Sequence, residues 1–231
     1  MPEFRFKQFS VRQDNSALKV GTDAVLLGAA MTVSPADRNL LDVGTGTGVI
    51  ALMAAQRCPE AEIIALEIDG PSAGEAAFNF AASPWSSRLQ AICTPLQAYA
   101  PPGKFDLIFS NPPYFDSSLK NPDERETAAR HTVSLSYGDI FAFASEWLTP
   151  EGRLSLILPS DCERQLLRTA ASFGLFPFHI LRIRTTAAKA PKRLMTEFSR
   201  SRTETTENEL TLQDGPERSA DYAALTREFY L

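Results

Sequence analysis

The chain has 231 residues, 44% of them hydrophobic, and a formal net charge of -5. That length holds one α/β domain with a full core but not two large domains, and the acidic balance excludes a generally sticky nucleic-acid binder while permitting a local basic face. No apolar run approaches the roughly 18 to 20 residues that span a bilayer and the N-terminus lacks a signal-peptide core, so a soluble cytoplasmic protein is expected. Cys58, Cys93 and Cys162 are scattered, and the histidines are His131 and His179 alone. Neither a disulfide framework nor a metal site is expected, and the thiols should be buried or inert.

In chain order, residues 4–9 and 17–20 alternate apolar and polar about Asp14-Asn15, which predicts a leading β-hairpin. Thr22 or Asp23 then caps a helix over 24–31, and Ser34-Pro35-Ala36-Asp37 ends it. Leu40-Leu41-Asp42-Val43 reads as a buried parallel strand, which Gly44, Gly46 and Gly48 turn into a helix from Val49 to Arg57. Residues 62–69 form a second buried strand with acids at its carboxyl end. Asp69 is positioned either to cap the helix that Pro71 opens, running to Ala82, or to contact a ligand. A third strand spans 88–93 and a fourth spans 105–109, which delivers Asn111-Pro112-Pro113-Tyr114. Asp106 is either a strand residue or part of the site. The polar stretch 116–133 has a length that is usually functional.

Ser136 and Asp139 make a capping box for a helix through Leu148, 153–158 is a fifth strand, and Ser160 with Glu163 caps a helix that stops at Gly174. Strands at 176–184 and 194–199 close the sheet. The tail is polar at first, and its last three residues, Phe229-Tyr230-Leu231, should dock. The expected fold is a Rossmann-like, doubly wound, mainly parallel seven-stranded sheet with an antiparallel C-terminal hairpin, plus a short N-terminal β-hairpin and helix. It forms a single domain over 1–231: hairpin and helix at 1–35, core at 36–203, and a tail at 204–231 packing on that core.

In such a sheet, ligands lie outside the carboxyl ends of the strands where strand order reverses, so the loops after strands one, two and four meet. The glycines fall at every second position, which departs from the G-x-G-x-x-G dinucleotide fingerprint. An acid two positions before the first glycine resembles the first motif of Rossmann-like S-adenosylmethionine (SAM) methyltransferases. Glu67, about 20 residues past the turn, occupies the position that accepts from ribose hydroxyls. Asn111 offers a side-chain carbonyl and Pro112 a main-chain carbonyl, two acceptors aimed at one planar amine. Accepting both amine hydrogens draws the nitrogen toward tetrahedral geometry and frees its lone pair. Pro113 stiffens the loop, and Tyr114 provides a face on which a base stacks.

Asp42-Val-Gly-Thr-Gly-Thr-Gly48 together with Asn111-Pro-Pro-Tyr114 resembles the amino-methyltransferases that act on adenine N6, cytosine N4 or glutamine amide. Phe9-Ser-Val-Arg-Gln-Asp14, the run from Lys19 through Thr22 to Gly28, Ala129-Arg-His131, Pro191-Lys-Arg193 and the terminal Phe229-Tyr-Leu231 are similar to the YfiC-like bacterial tRNA(Val) adenine-N6 methyltransferases, over essentially the whole chain. The resemblance implies SAM as cofactor, held by Lys19, Thr22, Asp42, Gly44, Thr45, Gly46, Gly48, Glu67, Ile68, Thr94 and Asn111. It implies catalysis by Asn111, Pro112, Pro113 and Tyr114, no metal, and a tRNA anticodon loop, adenosine 37 of tRNA1(Val), as partner. Where many relatives carry an acid after strand three, this chain has Cys93-Thr94-Pro95, so Thr94 makes a weaker contact with the cofactor adenine or none.

Candidate RNA contacts are Arg125, Arg130, His131, Lys189, Lys192 and Arg193, the last three within a basic stretch that includes Arg182, Arg184, Arg200 and Arg202. Protection of a sheet edge is the alternative role for that stretch, and packing the alternative for His131. The chain is a monomer or a weak dimer. A ribosomal-RNA adenine or guanine methyltransferase shares both motifs. A protein-glutamine N5-methyltransferase does so too, although such enzymes carry a large helical domain before the glycine loop.

Overall fold

A computed structural model describes residues 3–16, 19–112 and 135–231. Strands β1 (Phe4–Arg5) and β2 (Ser10–Val11) pair antiparallel, Phe4 opposite Val11. The leading hairpin therefore closes before Asp14, with Ser10–Val11 as its second strand in place of the expected 17–20, of which residues 17 and 18 lie outside the described residues. Phe6 and Phe9 stack within it at 4.5 Å, and that burial outweighs the turn signal at Asp14-Asn15.

The eight-stranded central sheet takes β3 (Asn39–Val43), β4 (Glu62–Glu67), β5 (Leu89–Cys93), β6 (Phe105–Ser110), β7 (Leu148–Pro159), β8 (Phe176–Arg184), β9 (Arg193–Ser199) and β10 (Thr206–Thr211) in the order β10-β8-β9-β7-β6-β3-β4-β5. Strands β3 to β7 are parallel, and β9 runs antiparallel between β7 and β8. The sheet has one strand beyond the seven expected. Residues 206–211 add parallel to β8, so neither β8 nor β9 is an edge. Their polar run, Glu207, Asn208 and Glu209 with only Leu210 buried, hides the strand from a hydrophobic pattern.

Alternation along the strands splits the core in two. Leu40, Leu107, Phe109 and Ile157 face the helices α1 (Thr22–Ala30) and α2 (Val49–Arg57), while Leu41, Ile108 and Leu156 face α4 (Tyr137–Trp147) and α5 (Glu163–Ser172). Helix α3 (Gly70–Ala81) packs beside β5 on the first face through Ala76 and Phe80. A small hairpin, β11 (Gln213–Asp214) with β12 (Glu217–Arg218), and α6 (Ala220–Thr226) complete that face. Phe229 is buried there and its carbonyl accepts from Lys7 N at 2.8 Å, whereas Leu231 is 83% exposed.

Four helix starts separate local chemistry from tertiary demand. Ser136 and Asp139 form the expected capping box, and Asp69 caps α3 by accepting from Ser72 N at 2.9 Å. Helix α1 instead has Gly21 at its N-cap with no side-chain cap, because Asp23 is drawn to Arg193 at 2.8 Å. Ser160 and Glu163 make no capping box. Ser160 Oγ donates to Pro191 O at 2.7 Å, and Glu163 binds Arg182 through both oxygens at 2.8 Å. Leu148 opens β7 rather than ending the preceding helix.

Candidate active site

Strand order reverses at β3, which lies between β4 and β6. The carboxyl ends of β3, β4 and β6 therefore flank one crevice, as the open-sheet rule requires. Hydrogen bonds to main-chain carbonyls clip these ends together. Gly44 N and Thr45 N both donate to Leu66 O at 2.9 Å, Thr94 N donates to Glu67 O at 2.9 Å, and Ser110 Oγ donates to Val43 O at 2.6 Å.

Gly44 and Gly46 sit at φ +73° and +56°, and a Cβ on either would meet nothing within 4 Å. These glycines answer to backbone conformation and leave room beside the chain for a ligand. Gly48 differs: a Cβ there would lie 2.5 Å from the Phe80 ring, so packing also demands it.

Two acids frame the turn. Glu67 accepts from Gly46 N at 2.8 Å and from Asp69 N at 3.0 Å, which fixes its carboxylate at the mouth. Asp42 is fully buried beneath the turn. Its Oδ2 accepts from Thr45 Oγ1 at 2.6 Å, while Oδ1 has no partner among the described residues. Burial pushes its pKa up to about 7, against the Thr45 bond and helped by the nearby Glu67 charge. An orphaned buried oxygen, a glycine cradle with open space and the 45%-exposed Ile68 beside Glu67 fit a nucleoside cofactor with a cationic centre.

Other assigned residues scatter. Lys19 Nζ folds onto the carbonyls of Gln13 and Ser16, and Thr94 Oγ1 contacts Pro95 O at 3.4 Å. Thr22 lines a cavity with Lys192 and Arg193. Asn111 is half-buried and Pro112 buried at the end of β6. Pro113, Tyr114, Arg125, Arg130 and His131 lie outside the described residues.

Asp106 belongs to the fold, accepting from Arg38 N at 2.8 Å and Asn39 N at 3.1 Å. Most of the basic stretch is engaged: Arg182 with Glu163 and Glu207, Arg184 with Glu209, Arg193 with Asp23, Arg200 with the carbonyls of Ser145 and Leu148, and Arg202 over Phe176. Lys189 and Lys192 remain exposed. Edge protection is not their role, since β10 covers that side.

Sequence reasoning missed Glu75 and Asn79 on α3. The Glu75 carboxylate accepts from the amides of Asp14, Asn15 and Ser16 at 2.6, 3.1 and 2.8 Å. Although burial works the other way, these bonds hold its pKa below the usual range. Asn79 accepts from Arg12 N at 2.9 Å and donates to Arg12 O and to Thr47 O in the glycine turn at 2.9 and 2.8 Å. The pair straps the N-terminal segment against the cradle. The Glu-x-x-x-Asn spacing, one helical face, was the only signal for it.

The crevice and sheet order define a Rossmann-like methyltransferase, and the comparisons agree. The chain belongs to the methyltransferase small domain family, whose model matches residues 15–173. Over its full length it is 44% identical to the tRNA1(Val) (adenine(37)-N6)-methyltransferase of Bacteroides fragilis strain NCTC 9343, covering 98% of that protein, and 40% identical to the protein of the same name in Glaesserella parasuis serovar 5, again covering 98%. Among solved structures it is similar in fold to a protein of Agrobacterium tumefaciens described as a predicted O-methyltransferase, with TM-score 0.70, 20% identity, and coverage of 90% of this chain and 96% of that one. The family uses SAM. Among the described residues no helix is long and apolar enough to cross a membrane.

Proposed function

We propose that this protein is a cytoplasmic enzyme, one SAM-dependent methyltransferase domain throughout, that methylates the exocyclic N6 of an adenosine in tRNA, at adenine 37 of tRNA1(Val). The observation that carries the reading is the emergence of Asn111-Pro112 from β6, the strand that flanks β3 and its glycine turn across the switch point. The full-length relatives supply the substrate. They favour tRNA over the ribosomal-RNA and protein-glutamine alternatives.

SAM, when bound, supplies a methyl group on a sulfonium, a good leaving group. The chain's task is then alignment, and positioning supplies about 7–11 kcal/mol in favourable cases. Gly44, Gly46, Glu67 and Ile68 would hold the nucleoside end, above Asp42, which is buried under the turn. Thr45 keeps Asp42 in place. Asn111 and Pro112 accept the two amine hydrogens of the adenine, which concentrates its lone pair on the nitrogen, and no dedicated general base is needed before attack. Pro113 restrains the loop and Tyr114 stacks on the base. Because an anticodon-loop base is single-stranded, extruding it costs little.

Asn111→Ala should lower kcat about 100- to 1000-fold while calorimetric SAM affinity stays within about threefold. Equal loss of both would assign Asn111 to the fold. Nucleoside mass spectrometry of tRNA from a strain lacking the protein should show unmethylated adenine 37 in tRNA1(Val). Full methylation there would overturn the substrate.

A further inference from the structure

Strands β8 and β9 meet at the end of the sheet, with Ile183 opposite Arg193, and Arg193 is in turn opposite Pro159 at the carboxyl end of β7. Since β7 runs parallel to β6, this is the end from which Asn111 emerges. Two strand spacings separate β9 from β6, about 10 Å. There a cavity of about 500 Å³ opens between the start of α1, the β8–β9 connection and the C-terminal hairpin with α6. A volume of that order is typical of small-ligand sites.

Four cations line it, Arg184, Lys192, Arg193 and Arg218, against the carboxylates of Asp23 and Glu217. In a chain of net charge -5 this is a local reversal of sign. Arg193 is fixed by Asp23 at 2.8 Å, and Arg184 is held by Glu209. Exposed Lys192 has no side-chain hydrogen bond or ion pair among the described residues. Arg218 lies over the Tyr230 ring, 4.1 Å from its centroid, and Tyr230 stacks on Phe6 at 6.0 Å. Arg218 is thus an exposed residue whose guanidinium is backed by aromatic rings. A point cation suits a phosphate, and a backed planar cation suits the face of a base.

We propose that this cavity is a second nucleotide subsite, which takes a ribonucleotide neighbouring the methylated adenosine, its phosphate at Lys192 and Arg193 and its base on Arg218. The assignment rests on the tRNA reading above. It places RNA recognition in the C-terminal hairpin and helix, apart from the Asn-Pro-Pro-Tyr turn.

The test compares wild type with Lys192→Glu, Arg218→Ala and Arg218→Lys, using unmodified tRNA1(Val) transcript over a salt series. For Lys192→Glu and Arg218→Ala, tRNA Kd and KM should each rise about tenfold, with kcat within about twofold and SAM affinity and Tm unchanged. The slope of log affinity against log salt should fall by about one for each lost cation. Arg218→Lys should restore the slope without restoring the affinity, because it returns the charge and not the plane. Variants that match an active wild type in KM and slope overturn the subsite and leave the tRNA reading standing. A wild type that neither binds nor methylates the transcript overturns both.

Discussion

Two buried carboxylates, Asp42 under the glycine turn and Glu197 on β9, are both fully inaccessible, yet their surroundings are opposite. Glu197 accepts from Thr32 N at 2.8 Å, Thr32 Oγ1 at 2.7 Å, Ser155 Oγ at 2.7 Å and His179 Nδ1 at 2.9 Å. Burial alone would raise its pKa, but these donors hold it below the usual range. Asp42 has one side-chain donor, Thr45, and an oxygen with no partner among the described residues, and burial lifts it to about 7. The first arrangement ties β7, β8, β9 and the segment after α1 into a finished structure. The second is left unfinished by the described residues, as expected of a site completed by a ligand.

Removing the satisfied acid should have the largest effect on stability. Glu197→Ala removes the acceptor shared by Thr32, buried Ser155 and half-buried His179 and should cost about 3–5 kcal/mol in denaturant unfolding. A loss below about 1 kcal/mol would erase the contrast with Asp42. Asp42→Asn should behave in the opposite way. A folded pKa of about 7 against 3.8 means the native state binds the extra proton, so Asp42 lowers stability as pH rises across that window. Without SAM, the Asn variant should therefore gain on wild type in Tm from pH 3.8 to 7, while its SAM affinity falls. A Tm difference independent of pH would show that Asp42 is ionised throughout. The smallest effect on stability belongs to the strap. Glu75→Gln should cost about 1 kcal/mol, yet weaken SAM binding severalfold with kcat at saturation retained. Unchanged SAM binding would make Glu75 purely a fold residue.

How much of this was legible follows from the range of each interaction. Alternating buried strands and helices, the glycine turn at 44–48, the Asn-Pro pair after β6, the Asp69 cap and the Ser136–Asp139 box all depend on neighbours a few positions apart, and the sequence determined them. It did not determine the N-terminal hairpin, where aromatic stacking among Phe4, Phe6 and Phe9 overrode the turn residues, or the eighth strand, whose side chains point largely to solvent. Nor did it separate the arginines that hold the fold from the lysines left exposed. Glu75 reaches Ser16 across 59 positions, and Arg193 reaches Asp23 across 170. Charge and hydrogen-bond partners at such separations are chosen by which strand ends the topology brings together. Local pattern fixed where the glycine turn lies, and only tertiary packing decided which charges are paired in ion pairs and which stay exposed.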